Sequence, residues 1–469
     1  MTIRRLGEAI RNGRMSCTRL VDHHLTCIRS LQPALNAFIT VTAEDALRRA
    51  AELDAELERG SDRGPLHGIP IVHKDSLATR GVRTTVGSRL LESRVPDHDA
   101  AIVERLSNAG AIMLGKANMS EFGSGSSGVN AHFGAAHNPW DVSRTPGGSS
   151  SGSAVAVASG MAVAATGTDA GGSVRTPASR CSIVGLRPTY GLVSLYGTWP
   201  RTKTLGAAGP MTQSVEDAAI MLNCMAGYDE RYPASIKSPD KDYTKAIGRG
   251  AQGMRIGLVR DFSRKELDSE VDDALTRALD VFAKLGVEIV DVVIPELTGA
   301  LDYSTLFRHI MLWEFNEVLG EQYRNTPNRD EVFGPFVHAD MQRVQSVTRR
   351  DYESTVSRRW EHVRSVREIF RRVDALITPT VPDVPPLQSE GPETWLRGRT
   401  FNLPFSYLGL PGISIPCHLS KEGLPIGMQL VANDLGEMEL LRLAHAFEEA
   451  GGFPASRPPI YCTMNEPEL

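Results

Sequence analysis

Apolar positions change their period several times along this chain, and each change predicts an element. Over residues 1–60 the period is helical: Ile3, Leu6 and Ile10 recur at helix spacing, and the Ala/Glu/Leu/Arg-rich run 42–59 continues it until Gly60 stops it. His67 to Val72 then reads as a short apolar strand running into Lys74 and Asp75. Residues 100–109 return to a helix, and 111–114 read as a buried strand. A strand at 254–259, an amphipathic helix at 269–285 and a strand at 287–294 form an α/β unit that extends the same sheet. Residues 301–372 are strongly helical, with Phe307, Met311, Trp313 and Phe315 supplying apolar faces. The last core section passes through apolar stretches at 374–377, 412–415 and 427–431 to a closing helix near 437–450.

Between Gly115 and Gly209 the texture is Gly, Ser, Thr and Ala. Such low complexity ordinarily marks a flexible linker. Here it is interleaved with apolar runs at 154–158, 183–184 and 192–193, which predicts a packed interior with tight backbone turns instead. Residues 226–252 are polar and carry Pro and Gly, as a surface connection does.

Composition narrows the function classes. A hydrophobic fraction of 41% and a charged fraction of 23% are ordinary for a soluble globular chain, and 51 basic against 56 acidic residues give a net charge of −5. Neither a nucleic-acid partner nor a membrane surface is expected from that balance. The weakly polar run 154–166 consists of small residues and falls short of the roughly 20 strongly apolar ones that a spanning helix needs. No apolar signal core follows the N-terminal Met-Thr-Ile-Arg-Arg, so export is not expected. The six cysteines (Cys17, Cys27, Cys181, Cys224, Cys417 and Cys462) are scattered without a CxxC, which fits a reduced, cytoplasmic protein in which most of them are small core residues.

Two Gly/Ser segments carry the chemistry, Pro146-Gly-Gly-Ser-Ser-Ser-Gly-Ser153 and Gly167-Thr-Asp-Ala-Gly-Gly-Ser-Val-Arg175. Consecutive glycines let neighbouring N–H groups converge on one point, and a serine beside such a nest has both a nucleophile and donors for a developing oxyanion. The donors are assigned to the backbone N–H groups of Ala170, Gly171, Gly172 and Ser173, or a subset of them. A serine needs a base, and no histidine here stands in a triad context. Lys74 is the alternative, provided that a buried strand end strips its proton, with Ser149 passing the proton between Lys74 and Ser173. Taken singly, a lysine at a strand end is a solvated residue and a serine in a Gly-rich loop is a turn residue; only the ordered combination favours catalysis.

Residues 147–160, Gly-Gly-Ser-Ser-Ser-Gly-Ser-Ala-Val-Ala-Val-Ala-Ser-Gly, resemble the amidase signature family. So do Gly68-Ile-Pro-Ile-Val-His-Lys-Asp75, Gly167 to Arg175 and Gly185-Leu-Arg-Pro-Thr189, with lesser matches at 115–122, 137–140, 378–380 and 423–427, in order over nearly the whole chain. The resemblance implies an α/β fold with a large mixed, twisted β-sheet covered by helices on both faces. It implies a helical segment, 1–60, packed on a single domain, 61–469, with a helical cap at about 301–372. It also implies a Ser–cis-Ser–Lys group in which Ser173 is the nucleophile, Ser149 follows a cis peptide bond after Gly148, and Lys74 is the base. Asp169 and Arg175 match the family's aspartate and arginine and are expected to support the loop as an ion pair. Gly123, Ser124 and Ser126 are expected to contact substrate. No cofactor and no metal are expected, and the sequence leaves a homodimer open. His73 and Ser76 stand where many members have Val and Asn, and Ser151 adds a third serine that blurs which hydroxyl is which. His73 is expected to be neutral packing rather than a base.

Other matches are set aside on context. Residues 123–128 satisfy GxGxxG without a strand before and a helix after. Residues 148–152 satisfy GxSxG, which would make Ser150 an elbow nucleophile, yet a Pro-rich loop precedes them. Ser238-Pro-Asp-Lys241 fits SxxK within a polar connection. His132 and His137 are five apart, wrong for one helix face, and no Cys/His/Asp cluster has metal-site spacing.

The resemblance therefore implies an amidase that cleaves a linear carboxamide, anilide or carbamate of small-molecule size through an acyl-enzyme. The nearest rival is the glutamine-hydrolysing A subunit of the tRNA-dependent amidotransferase, which shares the signature. That protein carries a Lys-Arg-Arg-Ile/Leu-x-Leu-Gly-Thr stretch, which is absent from the corresponding residues 342–350. A non-catalytic binding protein on the same fold is a third reading, opposed by the intact Lys74, Ser149 and Ser173. Substrate preference is expected to depend on residues 123–134, the 301–372 helices and the 395–405 loop.

Overall fold

The computed structural model describes residues 2–239 and 242–464. Eleven strands build one mixed sheet: β1 (Phe38–Val41), β2 (Pro70–Lys74), β3 (Ile112–Ala117), β4 (Ala164–Asp169), β5 (Val184–Arg187), β6 (Ala207–Thr212), β7 (Arg255–Leu258), β8 (Glu288–Asp291), β9 (Ala375–Pro379), β10 (Gly412–Leu419) and β11 (Pro425–Val431). Their order across the sheet is β1-β3-β2-β4-β6-β5-β10-β11-β9-β7-β8. The trios β3-β2-β4 and β9-β7-β8 are parallel, and antiparallel ladders join them through β6, β5, β10 and β11.

Both faces of the sheet are covered. Along β9, Ala375 and Ile377 enter one apolar core while Leu376 between them enters another. A strand whose alternate side chains are all apolar is what a sheet buried on two sides requires. The core around Leu376 holds Phe307, Ile310 and Met311 from the helix Tyr303–Asn325 and Val363 and Val366 from the helix Arg349–Arg367, so the 301–372 helices are held to the body by apolar packing.

Two expectations are corrected. Residues 1–60 are not purely helical: between the helices Cys17–Leu35 and Ala43–Glu58 the chain forms β1, which pairs antiparallel with β3 and makes the sheet's edge. Four residues, Phe-Ile-Thr-Val, are too few for their alternation to stand out between two long helices. The cysteines are not all reduced either: Cys27 and Cys462 form a disulfide, their Cα atoms 5.7 Å apart, which fastens the end of the chain to the Cys17–Leu35 helix. Cys17 and Cys181 are buried, as small core residues are, whereas Cys224 and Cys417 are partly accessible. The Ser238-Pro-Asp-Lys match runs into residues 240–241, which lie outside the described residues. Among the described residues no helix is long and apolar enough to cross a membrane.

Candidate active site

β2, β3 and β4 are parallel, so their C-terminal ends meet on one edge, where α/β sheets collect functional groups. β2 ends at Lys74. Its neighbour β4 is in register through His73 opposite Thr166, and ends at Asp169. The loop after β4 carries Ala170 to Val174 and enters the helix Arg175–Arg180. The Gly147–Ser150 turn crosses the same edge and enters the helix Ser151–Ala158, its Gly148–Ser149 peptide bond being cis. The N–H of Ser150 donates to the carbonyl of Ser173 at 3.3 Å, which ties the two loops together.

The Lys74 amine is fully buried among hydroxyls. Nζ lies 2.8 Å from Ser149 Oγ, 2.9 Å from Ser150 Oγ and 2.8 Å from Thr168 Oγ1. Burial is the main influence on its pKa, opposed by the charge of Asp169 and reinforced by that of Arg201, and brings it down to about 7. A neutral amine keeps a lone pair, so one of the three hydroxyls must donate to it. Ser150 is already committed, its Oγ donating to the Thr168 carbonyl at 3.3 Å. Ser149 and Thr168 are left, and both line a cavity of about 520 Å³ together with Ser173.

Ser150 does not line that cavity and is wholly buried beside Lys74, which removes the elbow reading. Ser151 points away, its Oγ donating to the Asn118 carbonyl at 3.4 Å. His73 is buried near the Lys116 ammonium, and burial followed by that charge pushes it down to about 3, so it is neutral. Lys116 is itself buried and donates to the Leu77 carbonyl at 2.5 Å and to Thr84 Oγ1 at 2.7 Å, which fixes the loop that follows β2.

One oxyanion candidate is corrected. The N–H of Gly172 donates to Asp169 Oδ1 at 2.7 Å, and Gly172 does not line the cavity. Ala170, Gly171 and Ser173 do line it, and their N–H groups meet no acceptor among the described residues. Gly172 serves the turn instead: its φ of +111° and an Asn402 Cβ 2.8 Å from where its own Cβ would stand admit glycine alone.

Asp169 and Arg175 form the expected pair, with Nε to Oδ2 at 3.0 Å and Nη2 to Oδ1 at 3.1 Å. Arg187, from the quoted Gly-Leu-Arg-Pro-Thr motif, completes the group with Nη1 3.4 Å from Asp169 Oδ1, a role that motif reading alone did not assign. Burial would raise the Asp169 carboxyl, but the two guanidiniums overcome it and hold it below the usual carboxylate range. Asp169 also accepts from the N–H of Val174 at 3.1 Å, so this pair of carboxylate oxygens shapes the turn that presents Ser173.

The expected substrate contacts divide. Gly123 lines the cavity, and a Cβ there would stand 3.6 Å from Ser149 Oγ. Ser124 does not; its Oγ accepts from Arg201 Nη1 at 2.6 Å and so positions a guanidinium that does. Ser126 donates to the Trp395 carbonyl at 2.9 Å and lines a neighbouring cavity of about 370 Å³. Phe307 and Met311 from the helical region, Trp199 and Phe122 give the first cavity an apolar lining. Arg399, from the 395–405 loop, lines both cavities.

Comparison with known proteins places this geometry. The family model described as Amidase matches residues 19–441. A curated relative, the A subunit of the glutamyl-tRNA(Gln) amidotransferase of Synechococcus sp. (strain WH7803), is 38% identical, over 98% of this chain and 99% of its own. Among solved structures, the native peptide amidase from Stenotrophomonas maltophilia superposes with a TM-score of 0.85 at 31% identity, covering 98% of each chain. The glutamyl-tRNA(Gln) amidotransferase A subunit from Thermotoga maritima superposes with a TM-score of 0.83, also at 31% identity and 98% coverage of each chain. Agreement of sequence and fold over nearly the full length means that this chain belongs to the amidase signature family, enzymes that hydrolyse C–N bonds.

Proposed function

We propose that the chain cleaves a carboxamide by acyl transfer to Ser173. The observation that carries this reading is the buried Lys74 amine, 2.8 Å from Ser149 Oγ at the wall of the cavity that Ser173 lines. With the amine neutral, the Ser173 hydroxyl attacks the carbonyl while its proton passes to Ser149, whose own proton goes to Lys74. The N–H groups of Ala170, Gly171 and Ser173 receive the oxyanion. Collapse of the tetrahedral adduct breaks the C–N bond, and the nitrogen leaves with the proton returned from Lys74 through Ser149. Water then repeats the sequence on the ester and frees the acid.

Within this chemistry two roles compete. The curated relatives carry the name of an amidotransferase A subunit, and at 38% identity over nearly the full length they support the glutamine-hydrolysing role better than a free-standing amidase. The peptide amidase among the structural relatives, and the absence of the Lys-Arg-Arg-Ile/Leu-x-Leu-Gly-Thr stretch, support the free-standing role.

A fluorophosphonate probe should label Ser173 of the wild type and leave Ser173→Ala unlabelled and inactive. Labelling at another serine, or hydrolysis by the alanine variant at the wild-type rate, overturns the acyl-enzyme reading. Ammonia release from glutamine, together with co-purification of a second and different chain from the source cells, separates the amidotransferase role from the free-standing one.

A further inference from the structure

Among the described residues, Arg399 is a cation without a counter-ion, and it stands at the junction of two cavities. Its backbone is pinned: the N–H donates to the Leu396 carbonyl at 3.0 Å, and its own carbonyl accepts from Asn402 at 3.0 Å and Leu403 at 2.9 Å. Its guanidinium, by contrast, makes no hydrogen bond and no ion pair among the described residues. The acidic groups within reach are taken. Asp340 holds Arg201 Nη2 at 2.7 Å, and Asp169 is enclosed by Arg175 and Arg187. Arg201 is engaged, donating also to the Phe122 carbonyl at 3.1 Å and to Ser124, with the Phe315 ring 4.2 Å from its guanidinium. Lys203, the remaining cation of the first cavity, pairs with Glu317 at 3.0 Å.

A guanidinium half-buried in a cavity wall and left unpaired is unfavourable, and its planar fork of donors matches a carboxylate. Burial lowers its pKa to about 10, with the charge of Asp340 opposing and those of Arg201 and Arg343 adding, so it is charged at neutral pH. The two carboxylates that line these cavities, Asp169 and Asp340, are each paired with a guanidinium, so neither is left over to pair with an ammonium group.

We propose that Arg399 anchors a carboxylate on the acyl part of the substrate, and that the favoured substrates are monoamides of dicarboxylic acids that lack a neighbouring ammonium. The proposal rests on the acyl-enzyme reading at Ser173 and adds the substrate class to it. The aromatic and aliphatic groups of the second cavity, Phe336 and Trp395 among them, would accommodate whatever extends past the carboxylate.

Ammonia release is measured for succinamate, glutaramate, glutamine and butanamide. Glutaramate differs from glutamine only in the missing α-ammonium, and butanamide lacks both charges. The better of the two monoamides should exceed glutamine and butanamide in kcat/KM by at least about tenfold, the scale of one charge-assisted hydrogen bond. In Arg399→Ala the loss should be at least about tenfold larger for that monoamide than for butanamide, and Arg399→Lys should recover part of it. Glutarate should slow fluorophosphonate labelling of the wild type and should fail to slow it in Arg399→Ala, whose unhindered labelling also reports an intact fold. Equal or better turnover of glutamine, or an equal loss on every amide, overturns the proposal. If Ser173 is labelled and no amide in the panel is hydrolysed, the carboxylate anchor falls while the acyl-enzyme reading stands. If Ser173 is not labelled, both fall.

Discussion

Replacing Lys74 by methionine removes a buried amine while keeping an unbranched chain of similar reach, and its consequence for stability depends on pH. The folded amine has a pKa of about 7, against about 10.4 for an unperturbed lysine. Between those values the unfolded chain holds a proton that the folded protein does not, so wild-type stability rises with pH through this window. Below about pH 7 both states are protonated and the folded protein bears the whole cost of burying the charge. Methionine has no such cost at any pH. Its other effect, leaving Ser149, Ser150 and Thr168 without their common partner, is the same at every pH. From the two pKa values, the stability of Lys74→Met relative to wild type should therefore be greater at pH 6 than at pH 9 by about 3 kcal/mol.

Urea denaturation of both proteins at the two pH values measures that difference, and the subtraction cancels every group that titrates identically in both. Activity should follow the same ionisation: kcat/KM of the wild type should fall about 100-fold from pH 9 to pH 5 as the neutral fraction of the amine drops to about 1%. Asp169, the carboxylate that acts on Lys74, stays ionised across this range, so it does not mask the transition. A stability gap independent of pH, with a flat rate profile from pH 5 to 9, would refute the claim that this amine is held neutral by burial.

The remaining expectations concern the groups around the site. Asp169→Asn removes the charge that two buried guanidiniums share, so it should destabilise the fold by about 3–5 kcal/mol in urea titration, and a loss below about 1 kcal/mol would show that Arg175 and Arg187 are satisfied without it. Gly172→Ala forces a side chain into a positive-φ turn against Asn402; at least about 1 kcal/mol of stability should be lost, together with slower labelling of Ser173, and wild-type labelling would contradict the role given to this turn. Thiol titration of the denatured, unreduced protein should count four cysteines, and six after reduction; six without reductant would exclude the Cys27–Cys462 bond.

The proposed catalytic trio stands out in the sequence because its members sit in ordered motifs whose chemistry is local: a lysine at the end of an apolar strand, and serines after paired glycines. The alternation of 254–294 and the long periods of 301–372 were legible for the same reason, being patterns that a single element displays by itself. What escaped was decided between elements. Glycine content marks a nest of N–H groups, but whether Gly172 is free to face substrate depends on the Asp169 carboxylate that accepts its N–H. Serine and threonine are abundant from 115 to 209, so nothing but the β2–β4 register singles out Thr168, and nothing but the turn before Ser151–Ala158 singles out Ser150, as partners of the amine. β1 exists because β3 offers it an edge, and Cys27 meets Cys462 because a terminus 435 residues away returns to the first long helices. Arg399 is the sharpest case. In sequence it is one of two arginines in a loop of mixed polarity, and the property that matters, an unpaired charge beside paired ones, belongs to the set Arg201, Asp340, Asp169 and Lys203 rather than to any of its members. Class of reaction is therefore legible residue by residue in this chain, whereas choice of substrate is a balance of charges that only the assembled cavity possesses.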